Sequence, residues 1–148
     1  MSVVLDIETD AIDATKIHCI VAYDTESKKP YTFVGDECYV KFPNFARSVS
    51  QFVMHNGISF DAPVLNRLTG TNIQCDRIID TMILSQLYNP IIDNGHSLKS
   101  WGVRLGIHKG EVESFSNFSE DMLDYCKQDV NVTYSLYKYF KQQQNIFS

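Results

Sequence analysis

The sequence predicts a single α/β domain built on a mixed five-stranded sheet, and two patterns carry that expectation. Three short apolar runs follow one another in the first 34 residues with turn-length links, as in an antiparallel meander. From residue 43 onward, apolar runs of strand length alternate with segments of helical period, the rhythm of parallel strands joined by helices.

The first strand is SVVLDI, Ser2 to Ile7, a β-branched run suited to burial on both faces. HCIVAY (His18 to Tyr23) and YTFV (Tyr31 to Val34) follow, separated by the polar connection DTESKKP. PNFARSVS (Pro43 to Ser50) reads as a short helix with proline in its first turn, and QFVMHN (Gln51 to Asn56) as the fourth strand. FDAPVLNRLTG then places Phe60, Val64, Leu65 and Leu68 at helical spacing and stops at Gly70. RIID (Arg77 to Asp80) is the fifth strand and runs into TMILSQLY, again helical in period. Ser97 caps LKSWGVRL, which Gly106 closes. The last helix starts after Ser119, with Glu120 and Asp121 at the positive end of its dipole, and runs to about Gln142 with Met122, Cys126, Val130 and Tyr137 on one stripe.

At 148 residues the chain fits one domain, residues 1–148, and its 44% hydrophobic content is enough for a true core. Cys19, Cys38, Cys75 and Cys126 form no CxxC pair and read as reduced thiols of a cytoplasmic protein. MSVVLDIETD meets acids after three apolar residues, which excludes a signal peptide, and no apolar run approaches the ~20 residues of a membrane span. Met1 directly before the first strand suits a natural start. The formal net charge of −5 is the wrong sign for holding polyanions by bulk charge. A nucleic-acid function therefore needs another device to neutralise phosphate.

The acids offer one. Asp6 and Glu8 lie two apart at the end of the first strand, so both side chains share a face, and no local Arg or Lys compensates them. A hard divalent cation between them would relieve the repulsion; a solvated strand end is the competing reading. Asp61 follows the fourth strand, at the carboxyl end of the sheet where ligand sites gather, and capping of the next helix is equally open to it. Asp129 sits mid-helix among apolar residues, one turn after Tyr125, where an unpaired charge is costly. His55 reads as structural, since an oxygen-rich site disfavours it as a ligand, while His96 and Lys99 open a helix that either nears phosphate or is solvated. Trp101, Tyr137 and Phe140 read as core.

DIETD (Asp6 to Asp10), HNGISFDAPVL (His55 to Leu65) and YCKQDV (Tyr125 to Val130) resemble, in order and spacing, the three motifs of the DnaQ-like, or DEDD, 3′-5′ exonucleases. Tyr125, four residues before the last acid, resembles the tyrosine subgroup; the histidine subgroup would have its His where this chain has Asp124. IDTMILSQL and HSLKSWGVRLGIHKGE are most similar to the proofreading domain of family A DNA polymerases of short-tailed bacteriophages.

The resemblance implies a ribonuclease H-like fold and two divalent ions, Mg²⁺ or Mn²⁺, held by Asp6, Glu8, Asp61 and Asp129. Asp6 would bridge the ions, Glu8 and Asp129 would complete the nucleophile's ion, and Asp61 would act on the second through water. Tyr125 would orient the attacking water, because an ordinary tyrosine, with a pKa near ~10, is a poor base. Thr9 would hydrogen-bond near the 3′ end, Ile12 would wedge against the last bases, and Asn56 would help hold sugar and phosphate. The implied substrate is a single-stranded or frayed DNA 3′ end, and the implied partner a separately encoded DNA polymerase, in the cytoplasm of a bacterial host. An exoribonuclease of the same superfamily remains open, as does an inactive fold that only tethers DNA or a polymerase; the presence of all four acids and Tyr125 argues against the latter.

Overall fold

The computed structural model describes residues 1–107, 112 and 114–147, with side chains described through Gln144. Its centre is β1 (Ser2–Thr9), buried almost along its length as a strand covered on both faces must be. β2 (Ile17–Asp24) pairs antiparallel with β1, and β3 (Pro30–Val34) antiparallel with β2. On the other side, β4 (Gln51–Met54) and β5 (Ile78–Asp80) add in parallel, giving the order β3-β2-β1-β4-β5. The mixed five-stranded sheet expected from the sequence is therefore present, three antiparallel strands and then parallel ones.

Three helices lie between strands: α1 (Glu37–Val40), α2 (Phe42–Arg47), with its proline in the first turn, and α3 (Ala62–Thr69), which ends where Gly70 turns left-handed at φ 75°. They cover one face of the sheet, packing on Val3, Leu5, Ile7, Phe33 and Phe52. Each such fully buried side chain contributes about 1.5–3 kcal/mol. α4 (Thr81–Tyr88) and α5 (Leu98–Arg104) follow β5, and Ser97 caps α5 by accepting the Ser100 N–H at 3.1 Å. α6 (Glu120–Phe147) covers the opposite face, where Met122, Cys126 and Val130 meet Val4, Val21 and Val53. Ser119 Oγ accepts the Met122 N–H at 3.1 Å, the expected cap. Where α6 meets α4 and α5, Trp101, Leu136 and Phe140 form a further buried cluster. Trp101 Nε1 donates to Ser85 Oγ at 2.7 Å there.

Several boundaries differ from the sequence expectation. The fourth strand stops at Met54, because the chain reverses at Asn56, whose φ of 62° is left-handed. Between Asn56 and α3 lies a five-residue π turn, Gly57–Asp61, and α1 was also unexpected; four or five residues are too few to show a period. The last helix continues past Gln142 to Phe147. The end of the supporting stretch His96 to Glu111, residues 108–111, lies outside the described residues, as does Ser148. Among the described residues all four cysteines are free, and no helix is long and apolar enough to cross a membrane.

Gly57 shows how tightly the π turn packs on β4. A Cβ there would overlap the Cβ and Sδ of Met54, a fully buried side chain, and would stand 2.9 Å from its Cγ. Gly57→Ala is expected to destabilise the protein by about 1–3 kcal/mol. A lower urea midpoint with an unchanged m-value checks this.

Candidate active site

The alternation of β1 sends Leu5 and Ile7 toward α1–α3 and leaves Val4, Asp6 and Glu8 on the face that α6 covers. Asp6 is half-buried and Glu8 is 8% exposed, so two adjacent carboxyls are withdrawn from water under one helix. The helix brings a thiol to them: Cys126 Sγ lies 3.4 Å from both the backbone oxygen and Oδ2 of Asp6. Potential ligand atoms of Asp6, Glu8 and Cys126 all fall within 4.8 Å of one another. Burial first, then a hydrogen bond with Cys19 and the charges of Asp6 and Glu8, push the Cys126 thiol well above its ordinary range. The thiol donates to Asp6, and a hard divalent cation prefers the carboxylate oxygens to sulfur.

Asp129 is three residues, about one helical turn, beyond Cys126 on α6 and is 6% exposed. The Thr133 hydroxyl donates to its backbone oxygen at 2.8 Å, within the helix. Tyr125, half-buried, makes an edge-on contact with Phe115 at 6.4 Å between ring centroids.

Asp61 arrives from the opposite side, at the junction of the π turn and α3. The capping alternative is overturned here: Asp61 holds helical φ and ψ, its side chain makes no cap bond, and buried Oδ2 has no hydrogen-bond partner among the described residues. The four acids converge. Asp6 is raised well above its usual carboxylate range by burial first, then by the charges of Asp129, Asp61 and Glu8. Asp61 is raised likewise by burial, then by Glu8, Asp80 and Asp129. Four carboxyls in one buried place, one with an orphaned oxygen, form an all-oxygen set that fits a hard divalent cation.

Asp80 was not among the expected site residues, yet it builds the turn that presents Asp61. Its Oδ1 accepts the backbone N–H groups of Asn56 at 2.8 Å and Met82 at 3.0 Å, and its Oδ2 accepts that of Ile58 at 3.1 Å. The last residue of β5 thereby caps α4 and clamps the start of the π turn. Asp immediately before the helical TMILSQLY was the available signal. His55 is structural as expected: Nδ1 lies 2.8 Å from Thr81 Oγ1 and Nε2 2.9 Å from the His96 backbone oxygen. His96 Nδ1 is tied to Ser85 Oγ at 2.6 Å.

Beside the carboxyls opens a cavity of about 380 Å³ lined by Glu8, Thr9, Ile12, Phe60 and Phe115, among others. Ile12 is 90% exposed at its mouth, a large apolar side chain with nothing to cover it. Thr9 Oγ1 donates to the Ala11 backbone oxygen at 2.9 Å, which fixes the hydroxyl and leaves its lone pairs to accept. Asn56 is held through its backbone by Asp80. Phe115 carried no sequence signal, because it lies outside any periodic segment. Its backbone oxygen lies 2.8 Å from His18 Nε2, which anchors the segment to β2.

A family model described as 3′-5′ exonuclease matches residues 2–145. The chain belongs to this 3′-5′ exonuclease family. The three stretches whose sequence resembles the DEDD motifs are the ones that bring Asp6, Glu8, Asp61 and Asp129 together. The chain is 27% identical to the DNA-directed DNA polymerase of Escherichia phage T7 over 90% of its own length and 26% of the relative's, so it spans about a quarter of that protein. Among solved structures it is similar to Brucella melitensis NrnC, both with bound Mg²⁺ and bound to pGG, at a TM-score of 0.74 and 22% identity, covering 95% of this chain and 72% of that one. It is also similar to exonuclease X in complex with 5′ overhanging duplex DNA, at a TM-score of 0.53 and 16% identity, covering 89% of each. At these identities the likeness shows the ribonuclease H-like fold.

Proposed function

We propose that residues 1–148 form one exonuclease domain that shortens single-stranded or frayed DNA 3′ ends to nucleoside 5′-monophosphates with two divalent ions, Mg²⁺ or Mn²⁺. The observation that carries the reading is the convergence of Asp6, Glu8, Asp61 and Asp129 at the carboxyl end of the sheet, where the charges of neighbouring acids raise the proton affinity of Asp6 and of Asp61. DNA is favoured over RNA by the likeness to a DNA polymerase along nearly the whole chain. Proofreading for a separately encoded polymerase, or processing of phage DNA in a bacterial cytoplasm, is the role this implies.

When bound, the ions neutralise the carboxylates, lower the pKa of a water and stabilise charge on the leaving 3′ oxygen. The chain's own groups do the rest. Asp6, whose proton affinity is raised by all three other acids, would be the shared ligand; Glu8 and Asp129 would complete the hold on the ion that serves the nucleophile, and Asp61 would act on the second through water. Asp129 is fixed on α6 and Asp61 on the π turn, so the scissile phosphate is received between two rigid elements. The Tyr125 hydroxyl orients the water that attacks phosphorus, and the P–O3′ bond breaks. Ile12 wedges against the last bases, with Phe60 and Phe115 across the same cavity. Thr9 accepts a hydrogen bond near the 3′ end, and Asn56 steadies sugar and phosphate.

The test follows 5′-labelled single-stranded DNA and RNA oligonucleotides with Mg²⁺, Mn²⁺ or chelator. Laddering from the 3′ end of DNA that chelator abolishes is the expected result. No metal-dependent laddering would overturn the enzyme reading, and faster loss of RNA would move the substrate to RNA. Tyr125→Phe is expected to lower kcat roughly 10- to 100-fold and to leave measurable activity, since water orientation rather than proton removal is lost. Single-turnover rates check this.

A further inference from the structure

On the far side of α6 from the α4–α5 cluster, Lys127, Asn131, Tyr134 and Lys138 recur at spacings of four, three and four residues, and so share one face of the helix. That face overhangs β2. With Tyr23 they line a groove of about 460 Å³ whose far edge is Pro30 at the start of β3. The groove is aromatic and cationic together: Tyr23 and Tyr134 are half-buried with ring centroids 5.3 Å apart, and Lys138 Nζ stands 4.3 Å above the Tyr134 ring. Neither lysine has a carboxylate within ion-pair distance among the described residues. From Val130 to the end of the chain the sequence contains no Asp or Glu, while the molecule as a whole carries a net charge of −5. Lys28 and Lys29, both exposed, precede Pro30. Of the two acids in that turn, Asp24 accepts the Glu26 N–H at 2.9 Å and the Ser27 hydroxyl at 2.9 Å, while Glu26 is exposed and is outnumbered by the two lysines by one charge.

The groove adjoins the carboxylate site without sharing its residues. Val21, which lines it, is paired with Asp6 on the neighbouring strand, and Lys127 is two residues before Asp129 on α6. We propose that this groove is a second contact for the nucleic-acid strand, with Lys127 and Lys138 on phosphates and the Tyr23 and Tyr134 rings against a base or sugar. Cations that track a backbone, interleaved with aromatic faces, are what a strand of any sequence requires. Placed one strand away from the acids, the groove supplies attraction where the cleavage site, before its ions bind, supplies repulsion. The inference rests on the reading that this exonuclease domain acts on a polynucleotide.

The test measures anisotropy of a fluorescent 16-nucleotide single-stranded DNA with wild type and Lys127→Gln/Lys138→Gln, in chelator, across roughly 0.05–0.2 M salt. Hydrolysis of a dinucleotide with Mg²⁺ is followed in parallel. The double variant is expected to bind the strand about tenfold more weakly at 0.15 M salt, with the slope of log affinity against log salt reduced by about 1.4, or 0.7 per phosphate lost. Its dinucleotide hydrolysis stays at the wild-type rate. Tyr134→Leu is expected to weaken strand binding with the slope unchanged, because stacking releases no counterions. Wild-type affinity and slope in the double variant would overturn the groove. Strand binding that depends on the lysines in a protein that hydrolyses nothing would support the groove and overturn the exonuclease reading alone.

Discussion

Asp6→Asn is expected to remove 3′-end hydrolysis, by on the order of 10³-fold or more, and at the same time to make the chelated protein more stable than wild type. The two effects have one cause. Asp6 stands close enough to Glu8, Asp61 and Asp129 that each raises its proton affinity, and burial raises it further. Without cations its ionised form opposes folding, and the isosteric amide deletes that opposition while keeping the shape. With Mg²⁺ the order reverses, because ions that bind only the folded wild type stabilise it by mass action. Thermal melts of both proteins, with chelator and with Mg²⁺, check the crossing. An amide variant that is less stable than wild type in chelator would show that the cluster does not repel.

The pH dependence carries the opposite sign from that of an ordinary paired carboxylate. An acid whose folded pKa lies above its unfolded value binds its proton more tightly when folded, so it adds stability as pH falls. For Asp6 and Asp61 that window opens at their raised values and closes near the ordinary 3.8. Elsewhere the usual sign holds. Asp10 is drawn down to about 2 by hydrogen bonds, the Thr15 hydroxyl first, and Asp24 and Glu37 are also lowered. These contribute stability above their unfolded values that is lost as pH falls through their folded ones. Chelated wild type is therefore expected to gain stability on mild acidification from neutral pH and to lose it below about pH 4, with Asp6→Asn flattening the gain.

The sheet was legible because its strands are either β-branched and buried on both faces, like β1, or placed by turns rich in polar residues. Asp6, Glu8 and Asp129 stood out as candidates because each violates local preference, a same-face acid pair or an acid among apolar helix positions. Alone, the pair reads as readily as a solvated strand end, and it is the order of the three motifs that ties the acids together. The π turn was not legible. Its conformation is imposed from 24 residues away, by Asp80 accepting Asn56 N, and by Met54, whose side chain leaves room for nothing beyond the hydrogen of Gly57. Phe115 and Cys126 escaped for the same reason, since one matters through its contact with Tyr125 and the other through a thiol directed at Asp6. Periodicity marks Cys126 as a buried position of α6, but it does not say which residue across the interface its thiol meets.

Asp80→Ala is the substitution expected to cost most in stability and to reach the chemistry without touching it. Three backbone N–H groups, those of Asn56, Ile58 and Met82, lose a charged acceptor at once. With hydrogen bonds to charged groups worth about 1.5–3 kcal/mol each, and some of the donors regaining water, the loss is about 3–5 kcal/mol. Asn56 also holds a left-handed φ of 62°, a conformation that costs free energy and that the Asp80 bond helps to maintain. Once the clamp is released, the turn relaxes and carries Asp61 with it. Hydrolysis is then expected to fall about 100-fold, because a 1 Å misplacement of a positioned group is enough for that loss. Asp80→Asn separates holding from charge. Its one carbonyl oxygen can still take Asn56 and Met82, whereas its NH₂ would face the Ile58 N–H, so it should lie between wild type and alanine in both stability and kcat. Rates are measured well below each variant's melting temperature, so that unfolding does not enter them. Full activity in a folded Asp80→Ala protein would mean that Met54 and α3 hold Asp61 unaided, and that Asp80 serves stability only.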